Sequence, residues 1–186
     1  MHIILPILQA VDEVMEKILN DMHVQCRQCP HHDACCNTLV GVTHLEAELI
    51  IEYLLETKQW SLVREKLLAQ RKDSIKIGSF LDDREKGPYD TAAWKWFERG
   101  KPCALYDTEK KQCRVYEVRP LACRELFAAL GTACDKGDSQ TTTLSRTHAE
   151  YLMRMNWELH HDIADLCGEL SQMMFRALQM KQKEQR

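Results

Sequence analysis

The chain has 186 residues, 45% apolar and 28% charged, and a formal net charge of −3. That length supports one compact domain over 1–186 with a hydrophobic core of its own. The charge balance excludes a concentrated cationic surface, so nucleic acid is not the expected partner, and no run approaches the ~18 apolar residues of a membrane span.

The opening Met1-His2-Ile3-Ile4-Leu5 lacks a basic segment, and Asp12, Glu13 and Glu16 follow at once. It therefore does not read as a secretory leader, and a cytoplasmic address is expected. Residues 6–23 form an amphipathic pattern, with Ile7, Leu8, Val11, Val14, Met15, Ile18, Leu19 and Met22 at helical spacing and Pro6 suited to the first turn. A cysteine-bearing loop punctuated by Pro30 comes next. Thr43-x-x-Glu46 is a capping box that opens a second helix, whose apolar side is read as Leu45, Leu49, Ile51 and Leu55. Ser61 opens a third helix carrying Leu62, Val63, Leu67 and Leu68.

Asp82-Asp83-Arg84-Glu85-Lys86-Gly87-Pro88 reads as a solvated loop, followed by a short helix whose Trp94, Trp96 and Phe97 cover the cysteine loops. Asp107 to Gln112 is a polar turn between two cysteine-bearing arms. Thr147-x-x-Glu150 is a second capping box, opening a long helix from about 148 to 180. Leu152, Met155, Leu159, Ile163, Leu166, Leu170, Met173 and Phe175 lie near its buried side, Cys167 is read as a core residue, and Gly168 is a place where it bends. Met173, Met174 and Met180 read as packing residues. The expected fold is mainly α, a single compact helical domain with two irregular cysteine-rich loops gathered around a metal site.

Seven of the nine cysteines fall into Cys26-x2-Cys29-x5-Cys35-Cys36 and Cys103-x9-Cys113-x9-Cys123. Deprotonated cysteine is a soft, anionic donor suited to zinc, copper(I) and iron–sulfur centres. A reducing compartment disfavours the disulfide alternative. Two residues between Cys26 and Cys29 let a tight turn aim both sulfurs at one ion. Cys103, Cys113 and Cys123 are too widely spaced to chelate locally, so they become ligands only if the fold gathers them. Zinc ribbons offer two Cys-x2-Cys couplets and this chain has one, which leaves room for iron.

Cys113-x-x-Tyr116-x-x-Arg119-Pro120-x-x-Cys123-Arg124, with Pro102-Cys103 before it and Val42-Thr43-His44-Leu45-Glu46 after the first block, resembles the CxxCxxCC (YkgJ-type) cysteine-cluster family. The resemblance covers about residues 26–134 and implies a zinc- or iron-chelating domain, with an iron–sulfur cluster as one form of the iron. It implies Cys26, Cys29, Cys35, Cys36, Cys103, Cys113 and Cys123 as metal ligands, and Cys134 as an eighth. The first block is longer than the family's usual Cys-x2-Cys-x2-Cys-Cys, which leaves the role of Cys35 open and brings in His31 and His32. A related domain occurs in the much longer flagellin lysine methylases.

Arg119 and Arg124 would offset the negative charge of such a centre, or else form surface ion pairs. No dinucleotide-binding Gly motif, phosphate loop, His-Glu-x-x-His or nucleophile elbow is present, so no stand-alone catalytic motif points to an enzyme. Three readings remain. They are a structural or chelating metal site, an iron–sulfur redox or catalytic protein, and a metal-dependent module that offers its C-terminal helix to a protein partner.

Overall fold

The computed structural model describes residues 4–21, 36–77, 95–96, 98–124 and 167–184. Helix α1 runs Leu5–Asp21 and buries Leu8, Val11 and Met15, the positions set by the helical period. A short strand β1, Gly41–Thr43, leads directly into α2, His44–Glu56. The capping box is formed as the sequence predicts. The Glu46 amide donates to Thr43 Oγ1 at 3.2 Å, and the Thr43 amide donates to Glu46 Oε2 at 2.7 Å.

The inward stripe of α2 is shifted from the expected one. Ala47, Ile50, Ile51 and Leu54 are buried with Leu49, whereas Leu55 is 52% exposed. The contacts of α2 with the C-terminal helix select this set, because those four positions follow one i, i+3, i+4, i+7 line. Helix α3, Trp60–Ile77, begins one residue before Ser61. It turns Val63, Leu67, Gln70 and Ser74 inward and leaves Leu62 exposed, so half of its inner stripe is polar.

Tyr106–Asp107 (β2) and Gln112–Cys113 (β3) pair antiparallel, which makes the polar turn a tight hairpin. Asp107 Oδ1 accepts the amides of Glu109 and Lys110, both at 3.1 Å, and Oδ2 meets Arg114 Nη2 at 2.7 Å. A 3-10 turn, Tyr116–Val118, then leads through Pro120 into a helical turn over 121–124.

The C-terminal region corrects the sequence reading. Cys167–Glu169 form strand β4, and helix α4 starts only at Leu170, running to Glu184. Strand β4 pairs antiparallel with β1, setting Gly41 against Glu169, Val42 against Gly168 and Thr43 against Cys167. Cys167 and Gly168 therefore lie in a strand and not in a helix. Glycine is a poor helix interior residue, and Glu169 ends the strand by capping α4, taking the Gln172 amide at 3.1 Å.

Among the described residues the fold is predominantly helical with two small sheets. One core joins α1, α2, α3, α4 and the second cysteine segment, including Leu105, Val115, Val118, Leu121, Met173 and Met174. Trp96 is also buried, while Trp94, Phe97, the capping box at Thr147 and the helix expected before residue 167 lie outside the described residues. Among the described residues no helix is long and apolar enough to cross a membrane.

Candidate metal centre

Four of the eight expected ligands, Cys36, Cys103, Cys113 and Cys123, are described, and all four residues are half-buried. Cys26, Cys29, Cys35, Cys134, His31 and His32 lie outside the described residues. Each of the four is held by a different segment. Cys36 precedes the extended run into β1, and Cys103 precedes β2. Cys113 ends β3, and Cys123 sits in the helical turn over 121–124.

Backbone hydrogen bonds join these segments. The Cys103 amide donates to the Cys36 carbonyl at 2.7 Å, so the two ends of distant loops lie side by side. The Arg114 amide donates to the Leu105 carbonyl at 2.9 Å across the hairpin, fixing Cys113 against the Cys103 arm. The Leu105 amide points at Cys103 Sγ, 3.5 Å away, the type of contact that stabilises a thiolate.

Burial raises the thiols of Cys103, Cys113 and Cys123. Cys103 is pushed up to about 12, chiefly by burial, with Cys113 and Glu169 adding to the rise and the Leu105 amide opposing it. For Cys123, burial is again the main cause, and Cys113, Cys103 and Cys36 each add their charge. Among the described residues, no group of three or more His, Cys, Asp or Glu is arranged to hold a metal ion.

The donor chemistry fits a soft cation. A thiol raised in this way favours its protonated form until a metal replaces the proton, and a cationic side chain stands nearby. Arg119 lowers both Cys113 and Cys123 through its charge.

Arg119 and Arg124 are 6% and 1% exposed, so neither is a surface ion pair. Both reach Asp12 on α1, Arg119 Nη2 at 3.5 Å and Arg124 through Nη1. Arg124 also donates from Nε to the Arg119 carbonyl at 2.8 Å and from Nη2 to the Glu117 carbonyl at 3.3 Å. It thus braces the Arg-Pro turn, while Arg119 lies over the Tyr116 ring at 4.1 Å.

Several contacts were not foreseen from sequence. Glu46 Oε1 accepts the Leu121 amide at 2.7 Å, tying the start of α2 to the turn that carries Cys123. Gln70 accepts the Ala104 amide at 2.7 Å. Arg99 stacks on Trp96 at 3.7 Å, pairs with Asp73 at 3.2 Å, and lowers Cys103 by its charge. The one sequence signal was the polar Gln70 at an inward position of α3.

A family model, CxxCxxCC, described as "Putative zinc- or iron-chelating domain", matches residues 25–149. Comparisons with curated proteins and with solved structures give no significant match.

Proposed function

The chain belongs to the CxxCxxCC family, and on that premise we propose that it binds zinc or iron through cysteine thiolates, the metal acting as a structural or chelated ion. Cys26, Cys29, Cys36, Cys103, Cys113 and Cys123 are the proposed principal ligands, with Cys35 and Cys134 as further donors. Arg119 offsets the charge of the centre and Arg124 holds the turn on which Cys123 is presented.

The observation that carries this reading is the 2.7 Å hydrogen bond from the Cys103 amide to the Cys36 carbonyl, which joins the two cysteine segments. Cys26 and Cys29 precede Cys36 by ten and seven residues, near enough in sequence to complete the donor set. A bound ion would supply cross-linking free energy between the two cysteine segments.

Elemental analysis of anaerobically purified, untagged protein tests the proposal, together with the Cys123→Ser variant. About one or two zinc or iron atoms per chain, lost in Cys123→Ser, is the expected result. Several irons with stoichiometric sulfide would move the reading to an iron–sulfur protein. Metal-free protein, with Cys123→Ser melting at the wild-type temperature, would end the metal-binding reading.

A further inference from the structure

A buried polar chain runs behind the Cys103 segment. Gln70 is 5% exposed and Glu169 is 1% exposed. One amide serves both neighbours. Gln70 Oε1 accepts the Ala104 amide at 2.7 Å, while Nε2 donates to Glu169 Oε1 at 2.8 Å. The other carboxylate oxygen, Glu169 Oε2, takes the Ser171 hydroxyl and the Gln172 amide. Among the described residues these hydrogen-bond donors are all neutral.

The contacts close a circuit. Cys36 accepts from the Cys103 amide, and Ala104, the next residue, is held by Gln70. Gln70 holds Glu169, and Glu169 lies opposite Gly41 in the β1–β4 pair. Gly41 follows Cys36 by five residues, which returns the circuit to its start. An apolar side chain at residue 70 would take this partner from the buried Ala104 amide and from Glu169 Oε1. An amide takes the backbone N–H through its oxygen and donates to the carboxylate through its nitrogen at once.

We propose that Gln70 and Glu169 are positioning residues for the thiolate centre, setting the placement of Cys103 beside Cys36 through the Ala104 amide. This rests on the reading that the cysteines bind metal. Neither residue touches the ion. Their effect is on how nearly the donors are in place before the metal arrives, which appears as affinity and as ligand geometry.

The test is cobalt(II) titration with zinc competition, read by the thiolate-to-cobalt charge-transfer band, on wild type, Gln70→Glu, Gln70→Glu/Glu169→Gln and Val63→Ala. Gln70→Glu keeps the shape but sets two carboxylates face to face. Its affinity is expected to fall roughly 10- to 100-fold, with an altered band. The double variant exchanges amide and carboxylate, restores the donor–acceptor match, and recovers most of the affinity. Val63→Ala, in the same helix, lowers the melting temperature and leaves affinity unchanged.

Wild-type affinity and spectrum in Gln70→Glu, with only a lower melting temperature, would overturn the positioning role. If Gln70→Glu fails to fold, the double variant decides alone, and a folded double variant with lost affinity also overturns it. A wild-type protein that takes up neither cobalt nor zinc removes the metal-binding reading itself, before any substitution is made.

Discussion

Glu46 and Leu121 are joined by a buried hydrogen bond of 2.7 Å, from the Leu121 amide to Glu46 Oε1. The other oxygen of the same carboxylate takes the amide and hydroxyl of Thr43, at 2.7 and 2.9 Å. A helix-capping residue thus also caps the turn that presents Cys123, 75 residues away. Local capping and the architecture of the cysteine site are the work of one side chain.

Glu46→Ala is therefore expected to cost more than an ordinary cap. Two buried amides and a hydroxyl lose a charged acceptor, and the loss is about 3 kcal/mol. Urea unfolding of the metal-free protein measures it. A loss under about 1 kcal/mol would mean that the Leu121 contact contributes nothing beyond the cap.

Arg124 braces the Arg-Pro turn from inside. Replacing it with Met keeps apolar volume but leaves the Glu117 and Arg119 carbonyls without their guanidinium partner. The expected cost is about 2 kcal/mol, because Asp12 is 41% exposed and water replaces its share of the ion pair. Asp12→Asn should cost less than Arg124→Met in the same denaturant experiment, and the reverse order would show that the ion pair, and not the carbonyl contacts, dominates.

Metal loading should release protons. Burial pushes Cys103 up to about 12 and raises Cys113 and Cys123, so these thiols are neutral before an ion arrives. Each thiol that becomes a ligand gives up its proton, so apparent affinity climbs with pH wherever the metal-free thiols are still protonated, up to about 12 for Cys103. Zinc added to weakly buffered metal-free protein should acidify the solution. Binding without acidification would show that the thiols are not the ligands.

The hairpin between Cys103 and Cys113 should be acid-sensitive. Asp107 is held below the usual carboxylate range by the Lys110 amide first, burial opposing, with help from Arg114 and the Glu109 amide. A carboxylate with a lowered folded value contributes stability above its unfolded value, here 3.8, and loses it as pH falls through the folded value. Melting temperature should therefore fall below about pH 4 in wild type, and fall less in Asp107→Asn. Parallel acid limbs in the two proteins would remove Asp107 from the account.

Much of the scaffold was legible from local chemistry. The helix over 6–23 is observed as Leu5–Asp21, and the Thr43–Glu46 capping box stands as read, because both depend only on spacing and on donors within one turn. The polar run from Asp107 to Gln112 became a hairpin for a similar reason, since the Asp107 carboxylate gathers the turn's own amides. The helix expected over 148–180 did not hold across residues 167–169. Its apolar period continues through Leu166 and Leu170, but pairing with β1 outweighs that period at Gly168. Strand partners are non-local, and the period of one segment carries no information about them.

The sequence by itself determined the family and the donor chemistry, because thiols in the Cys113-x-x-Tyr-x-x-Arg-Pro-x-x-Cys123 spacing are a property of the chain alone. It also determined the helical character, through periods and caps that act within a few residues. Only the tertiary structure decided that the Cys103 amide meets the Cys36 carbonyl and that Arg119 and Arg124 are buried. It alone gave Glu46, Gln70 and Glu169 their long-range partners. The reason is desolvation. A buried polar atom must find a partner wherever the packed chain offers one, and that partner lies 34, 75 or 99 residues away.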